Sequence, residues 1–156
     1  MARILLLYST VDGHTREIAE RLRARWEAAG EAVAMVSLDD DPGVDPGAFE
    51  RVVIGASIRY GKHRPNVAAY VNRHADALQR RPTAFFSVSL VARKPNRDRL
   101  DTNPYVRRFL DGIRWQPDLV EVFAGKVVAL GATYHVPTPV NQTLLHAIKA
   151  IESQYL

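Results

Sequence analysis

The fold is decided by the stretch Ile4-Leu5-Leu6-Leu7-Tyr8-Ser9-Thr10-Val11-Asp12-Gly13-His14-Thr15. Its first five residues form a continuous apolar run, which is typical of a strand covered on both faces in a parallel sheet. The polar loop that follows leads into the helical spacing of Ile18, Leu22 and Trp26. A buried strand, a loop and an amphipathic helix are therefore predicted, and together they make the first unit of an α/β domain.

The rest of the chain repeats this alternation. Further strands are predicted at 33–38, 52–54, 84–90 and 120–130, the last interrupted at Gly125. Further helices are predicted at 67–78, at 106–113 with Asp101 or Thr102 as the cap, and at 144–155. Five strands alternating with about five helices predict a parallel sheet with helices on both faces, because each crossover needs a helix. Ligands of such sheets bind at the carboxyl ends of the strands.

Length and composition narrow the classes of protein. The 156 residues fit one domain, and the 47% hydrophobic and 24% charged fractions are ordinary for a globular protein. The chain has no cysteine, which excludes disulfides, thiolate metal sites and cysteine nucleophiles, so redox work requires a bound cofactor. We expect no metal site. No signal-peptide pattern and no apolar run of about 20 residues is present, so a cytoplasmic protein is predicted.

The first loop, residues 9–15, is suited to bind a phosphate. Backbone N–H groups at a helix start, the helix dipole and the hydroxyls of Ser9, Thr10 and Thr15 would all favour a phosphomonoester. The loop lacks the lysine of a Walker A motif and the three glycines of a dinucleotide fingerprint, so nucleoside triphosphates and NAD are poorer candidates. A structural alternative stays open, in which Ser9 and Thr15 only cap the helix and Gly13 eases the turn.

A second loop, residues 55–61, follows the strand that we expect beside the first one. Two loops after neighbouring parallel strands meet at the same edge of the sheet, so both would contact one ligand. The net charge of +4 also suits an anionic ligand, an anionic lipid surface or nucleic acid.

These loops resemble a known family. The first loop, with Arg16-Glu17-Ile18-Ala19 after it, resembles the phosphate loop of flavodoxins and, more narrowly, of the flavodoxin-like protoporphyrinogen oxidases. Two longer strings are similar to the second and third flavin loops of the menaquinone-dependent protoporphyrinogen dehydrogenases. They are Arg51-Val52-Val53-Ile54-Gly55-Ala56-Ser57-Ile58-Arg59-Tyr60-Gly61 and Ala84-Phe85-Phe86-Ser87-Val88-x-Leu90-Val91-Ala92-Arg93-Lys94-Pro95. Weaker agreement continues through 102–105, 108–110 and 115–117, so the resemblance covers residues 1 to about 125.

The resemblance implies a flavodoxin-like three-layer sandwich, with a five-stranded parallel sheet of order 2-1-3-4-5 in a single domain over 1–156. It also implies non-covalently bound flavin mononucleotide (FMN). The flavin phosphate would be held by Ser9, Thr10, Asp12, Gly13, His14 and Thr15. The isoalloxazine ring would be lined by Ala56, Ser57, Ile58, Arg59, Tyr60, Gly61, Ser87, Val88, Ser89, Leu90, Val91 and Ala92. Tyr60 is the candidate to stack on the ring.

The activity that the resemblance implies is oxidation of protoporphyrinogen IX to protoporphyrin IX, with a quinone as electron acceptor, in heme biosynthesis. The flavin carries this chemistry, so no catalytic side chain is assigned. The substrate bears propionates, and a basic rim beside the flavin would suit them. The candidates are Arg59, Lys62, Arg64, Arg93, Lys94 and Arg97, with Arg59 and Arg93 the strongest; the alternative is a solvated basic face. His63 is a candidate to line a loop, and His74 is expected to be structural.

The tail, residues 126–156, departs from that family and faintly resembles the closing helical segment of ketopantoate reductases. We expect a strand at 127–130 and a helix at 144–155 to complete the sheet.

The alternative function is a flavodoxin-type electron carrier between protein partners, although the net positive charge of this chain counts against it. A nucleic-acid partner is not expected, because no recognised motif is present. Peripheral contact with the inner face of the cell membrane and assembly into a homo-oligomer stay open.

Overall fold

A computed structural model describes residues 3–10, 13–40, 43–59, 62–88, 104–123 and 134–135. The strands are β1 (Arg3–Ser9), β2 (Ala32–Ser37), β3 (Arg51–Arg59), β4 (Lys62–His63), β5 (Thr83–Val88), β6 (Leu119–Phe123) and β7 (Tyr134–His135). The helices are α1 (His14–Ala28), α2 (Pro65–Arg73), α3 (Ala75–Gln79) and α4 (Pro104–Asp111), and a 3₁₀ turn spans Pro46–Ala48.

The parallel strands lie in the order β2-β1-β3-β5-β6. This is the predicted order 2-1-3-4-5, because β5 and β6 are the fourth and fifth long strands, and the prediction is confirmed. The structure adds two short antiparallel strands that were not predicted: β4 pairs with β3, and β7 pairs with β6. Each has two residues, which is too short for a hydrophobic period to be recognised in the sequence.

The register brings the carboxyl ends of three strands to one level. Ser9 of β1 is opposite Ala56 of β3, and Ala56 is opposite Ser87 of β5. The three residues therefore lie side by side across the sheet. These residues belong to the first loop (9–15), the second loop (55–61) and the third loop (87–92), so all three loops meet the sheet at one edge.

The core is divided between the two faces of the sheet. Ile4, Leu6 and Val53 point to the face covered by α1, which contributes Ile18, Leu22 and Trp26. Leu5, Leu7 and Ile54 point to the opposite face, which is covered by residues of α2, α3 and α4, namely Val67, Val71, Leu78 and Val106. Successive strand residues alternate between faces, so a strand covered on both sides must be apolar throughout. The predicted three-layer arrangement is confirmed.

The largest differences from the predicted elements are in β3 and in the helix predicted over 67–78. β3 has nine residues where three were predicted, because Gly55 and Ala56 continue the pairing with both β1 and β5, Ser57 pairs with β5, and the last two residues pair with β4. Gly55 fits this position because a Cβ atom there would lie 2.1 Å from the Phe86 ring on the adjacent strand. A glycine inside a strand often marks such a close approach, whereas the sequence pattern suggested a loop.

The helix predicted over 67–78 is split at His74 into α2 and α3. Hydrogen bonds of helical spacing still cross the break, since the His74 N–H bonds to the Tyr70 carbonyl and the Leu78 N–H bonds to the His74 carbonyl. The predicted caps Asp101 and Thr102, the strand residues 124–130 and the helix 144–155 lie outside the described residues. The prediction of a single domain over 1–156 stays a prediction.

Candidate functional site

The start of α1 offers unpaired backbone donors. Gly13 is the N-cap residue, with φ of 84°, a left-handed conformation that glycine adopts without the steric cost of a Cβ atom. The first helical hydrogen bond runs from the Glu17 N–H to the Gly13 carbonyl. The N–H groups of residues 14–16 therefore have no partner within the helix, and the helix dipole adds partial positive charge to them. The predicted helix start is confirmed, and its donors suit an anion.

The hydroxyl groups of Thr15 and Ser57 join the first and second loops. Thr15 Oγ1 lies 2.5 Å from Ser57 Oγ, and both side chains are buried. Only one of the two hydroxyls donates in this hydrogen bond, so the proton of the other stays available. The sequence predicted that these loops meet at one ligand, and the structure places them in direct contact.

Ser9 is fully buried, and its hydroxyl faces two acceptors on other segments. Ser9 Oγ is 3.0 Å from Asp39 Oδ1 and 3.4 Å from Asn66 Oδ1. The Thr10 N–H points to Asp39 Oδ2 at 3.3 Å, and Thr10 Oγ1 accepts from the Gly13 N–H at 2.9 Å. In the described part of the chain, neither Ser9 nor Thr15 caps the first turn of α1. The capping alternative is therefore wrong for these two hydroxyls.

Asp39 is the centre of a polar cluster that the sequence analysis missed. Besides Ser9 and Thr10, its carboxylate accepts from Asn66 Nδ2 at 2.7 Å and lies 3.5 Å from Arg64 Nε. Arg64 also donates from its terminal nitrogen to the Thr10 carbonyl at 3.2 Å. One signal could have identified Asp39: it lies directly after the second predicted strand, at the carboxyl edge beside β1. Asn66 has no comparable signal in the sequence.

At the end of β5, Ser87 contacts a buried histidine. Ser87 Oγ lies 2.9 Å from His63 Nε2, and both side chains are buried. The His63 ring packs against Phe85 and Phe109, with centroid distances of 5.4 and 4.6 Å. Burial lowers the pKa of His63 to about 4, so the imidazole is neutral at pH 7. The sequence analysis gave His63 as a candidate to line a loop. The structure places it in β4, where its ring contacts Ser87.

The other predicted residues have the following positions. Ala56 and Val88 are buried, Ile58 is half-buried, and Lys62 is exposed in β4. His74 lies at the junction of α2 and α3, half-buried, with its ring 4.5 Å from that of Tyr70. The remaining predicted residues lie outside the described part of the chain, so their predicted contacts stay predictions. They are Asp12, Tyr60, Gly61, Ser89, Leu90, Val91, Ala92, Arg93, Lys94 and Arg97. The side chains of His14 and Arg59 are likewise outside the description.

The sequence profile of the flavodoxin domain matches residues 5–134. The chain belongs to the flavodoxin family. A profile of the C-terminal region of the ketopantoate reductase PanE/ApbA matches residues 119–152, which confirms the second resemblance of the tail.

Named relatives confirm the narrower resemblance. Over 125 residues, the chain is 44% identical to protoporphyrinogen IX dehydrogenase [quinone] of Escherichia coli strain K12, covering 79% of this chain and 68% of the relative. It is 42% identical to the protein of the same name from Leishmania major, covering 79% of this chain and 54% of that one. Both alignments leave about a fifth of this chain uncovered.

Solved structures show the same fold at low identity. Flavodoxin 1 from Bacillus cereus superposes with a TM-score of 0.58 at 13% identity, covering 99% of both chains. A point mutant of flavodoxin from Pseudomonas aeruginosa gives 0.56 at 15% identity, covering 98% of both. The family and the fold support flavin binding by this chain. Among the residues that the structure describes, no helix is both long and apolar enough to cross a membrane.

Proposed function

We propose that this protein oxidises protoporphyrinogen IX to protoporphyrin IX with bound FMN and passes the electrons to a quinone, as a step of heme biosynthesis. The observation that carries this proposal is the 44% identity over 125 residues to a relative with that named activity. The flavodoxin-domain profile matches residues 5–134 of this chain, which include the three loops described above.

FMN is the flavin that the first loop favours. It ends in a single phosphomonoester, and such a group could accept from the three N–H groups at the start of α1. The Thr10 hydroxyl is well placed to add a donor, because it accepts from the Gly13 N–H and its own proton has no acceptor among the described residues. Ser9 Oγ and the Thr10 N–H are held by Asp39 in the present arrangement, so they would donate to a phosphate only after exchanging that carboxylate.

The ring of the flavin is proposed to lie where β3 and β5 end. Ala56 and Ser87 are neighbours in the register, so the second and third loops lie side by side at this edge. The flavin supplies the two-electron chemistry when it is bound. The chain would orient the ring through the residues that line it. Hydrogen bonds hold Ser57 to Thr15 and Ser87 to His63, and the buried side chains around these pairs exclude water.

Binding of the substrate is assigned to the basic loops. The propionate groups of a porphyrinogen are anionic, and arginine forms bidentate hydrogen bonds to carboxylates. We therefore assign Arg59 and Arg93 to the substrate side, since Arg59 is the last residue of β3 and Arg93 follows the third loop in the sequence. Peripheral contact with the membrane would give access to a lipid-soluble quinone.

The test uses the purified chain. Flavin absorbance is recorded first, and FMN is titrated into colourless protein. Protoporphyrinogen is then added without oxygen, with and without a soluble quinone, while flavin bleaching and porphyrin fluorescence are followed; a sample without protein controls for spontaneous oxidation. The proposal expects bleaching by the porphyrinogen, and multiple turnovers only with the quinone. A bound flavin that is inert to porphyrinogen but exchanges electrons with a reductase would show an electron carrier instead.

A further inference from the structure

Arg64 occupies a different place from the one that the sequence suggested. It was a candidate for the basic rim around the substrate, yet the structure places its guanidinium at the first loop. A terminal nitrogen of Arg64 donates to the Thr10 carbonyl at 3.2 Å, and its Nε lies 3.5 Å from Asp39 Oδ1. The side chain is 45% exposed, so it stays open to a ligand.

The guanidinium has donors to spare. An arginine carries five N–H groups in a planar fork, and its contacts to Thr10 and Asp39 use two of them. Three N–H groups are therefore left without a partner among the described residues. Arg64 donates to the carbonyl of Thr10, which lies in the first loop. The same loop ends at the start of α1, where the N–H groups of residues 14–16 can bind an anion. A phosphate bound there would accept from both.

The position of Arg64 is fixed from its backbone and from its neighbours. Pro65 follows it as the first residue of α2, and Arg64 itself is extended, with φ of −64° and ψ of 143°. Asn66, one residue further on, donates to the same Asp39 carboxylate that Arg64 faces. A pre-positioned arginine loses less conformational entropy when it binds an anion than a free surface side chain does.

We propose that Arg64 is a phosphate-binding residue, and that its charge distinguishes a flavin with a phosphate from the same flavin without one. The inference rests on the proposed function, because it assigns a residue to the same flavin site. Asp39 and Asn66 act as positioning residues: they hold the guanidinium beside the first loop and do not themselves contact the ligand.

The experiment compares FMN with riboflavin, which has the same ring and no phosphate. Dissociation constants for both are measured by quenching of flavin fluorescence in the wild-type chain, in Arg64→Gln and in Arg73→Gln. Arg73 is an exposed cation at the other end of α2, so its variant removes the same charge away from the loop. Each titration is repeated at low and high salt.

We expect Arg64→Gln to weaken FMN binding by about tenfold and to leave riboflavin binding unchanged, since only FMN loses a charged hydrogen bond. Arg64→Lys should recover part of the loss, because it keeps the charge without the fork. Arg73→Gln should match the wild type for both flavins. Salt should weaken FMN binding more in the wild type than in Arg64→Gln.

Two results would overturn the inference alone. One is wild-type FMN affinity in Arg64→Gln; the other is an equal loss for FMN and riboflavin, which would mean that Arg64 only supports the loop. A wild-type chain that binds neither flavin would overturn the proposed function together with this inference. The circular dichroism spectrum of each variant shows whether it is folded.

Discussion

Thr15 Oγ1 lies 2.5 Å from Ser57 Oγ, and this buried hydrogen bond connects the first turn of α1 to the end of β3. The two residues are 42 positions apart in the sequence and belong to different βα units. Their contact sets the distance between the loop that is proposed to hold the phosphate and the loop that is proposed to line the ring.

The first prediction tests this hydrogen bond by a double-mutant cycle. Thr15→Val and Ser57→Ala should each lower the free energy of unfolding by about 1–3 kcal/mol, because each leaves a buried hydroxyl without a partner. The double variant should cost about 1 kcal/mol less than the sum of the two, because no orphaned hydroxyl is left. Urea unfolding of the four proteins measures the coupling. Strict additivity would mean that the contact contributes nothing to stability.

The second prediction concerns retention of flavin. The double variant Ser9→Ala with Thr15→Ala removes two buried hydroxyls beside the proposed phosphate, and it should purify with less flavin than the wild type. The flavin-to-protein absorbance ratio is the measurement. Thr83→Ala is the matched control, since Thr83 is also a buried hydroxyl but lies at the first residue of β5, at the opposite edge of the sheet. Unchanged flavin content in the double variant would contradict the assigned role.

The third prediction concerns Gly55 in the middle of β3. In Gly55→Ala, the new Cβ atom would lie 2.1 Å from Cζ of Phe86, so the aromatic ring or the strand must move. We expect a loss of about 1–3 kcal/mol in the free energy of unfolding, as for other overpacked cores.

Two further variants test this explanation. In Gly112→Ala, the Cβ atom would meet its nearest neighbour, the Arg108 carbonyl, at 3.4 Å, so that variant should cost much less. Adding Phe86→Leu to Gly55→Ala should recover part of the loss, because the smaller side chain leaves room. A Gly55→Ala protein as stable as the wild type would show that the strand adjusts freely.

The fourth prediction is a pH dependence of stability that comes from His63. Burial lowers its pKa to about 4 in the folded chain, from 6.5 when exposed. The unfolded chain therefore takes up the proton first as the pH falls, so the full stability is present above pH 6.5 and decreases progressively toward pH 4. The contribution of this group amounts to about 3 kcal/mol at the acidic end.

His63→Gln separates this effect from other titrations. Glutamine keeps a polar group that could bond to Ser87 but does not titrate, so the stability of the variant should fall less steeply between pH 6.5 and 4. Burial also lowers the pKa of His74, which is present in both proteins and therefore cancels in the comparison. Identical slopes in the two proteins would mean that His63 is hydrated or that its pKa is unperturbed.

Much of the fold could be predicted because its signals are local. The apolar runs of β1 and β5 and the helical spacing of α1 are contained within a few consecutive residues, and short-range patterns of this kind decide secondary structure. The strand order followed from the resemblance to flavodoxins. The prediction of β3 failed because a local pattern was misleading. Gly55 suggested a loop, but it lies within the strand, where the absence of a Cβ atom leaves room for the Phe86 ring of β5.

The sequence by itself determined the alternating βα units, the polar loops at the strand ends and the family, because these depend on the order and spacing of residues. Only the tertiary structure decided which polar groups meet. Asp39 follows β2, whereas Arg64 and Asn66 lie at the start of α2, so their contacts with Ser9 and Thr10 depend on the pairing of β1 with both β2 and β3. The contact of His63 with Ser87 likewise depends on the antiparallel pairing of β4 with β3. Such contacts join residues far apart in the chain, so no local pattern encodes them.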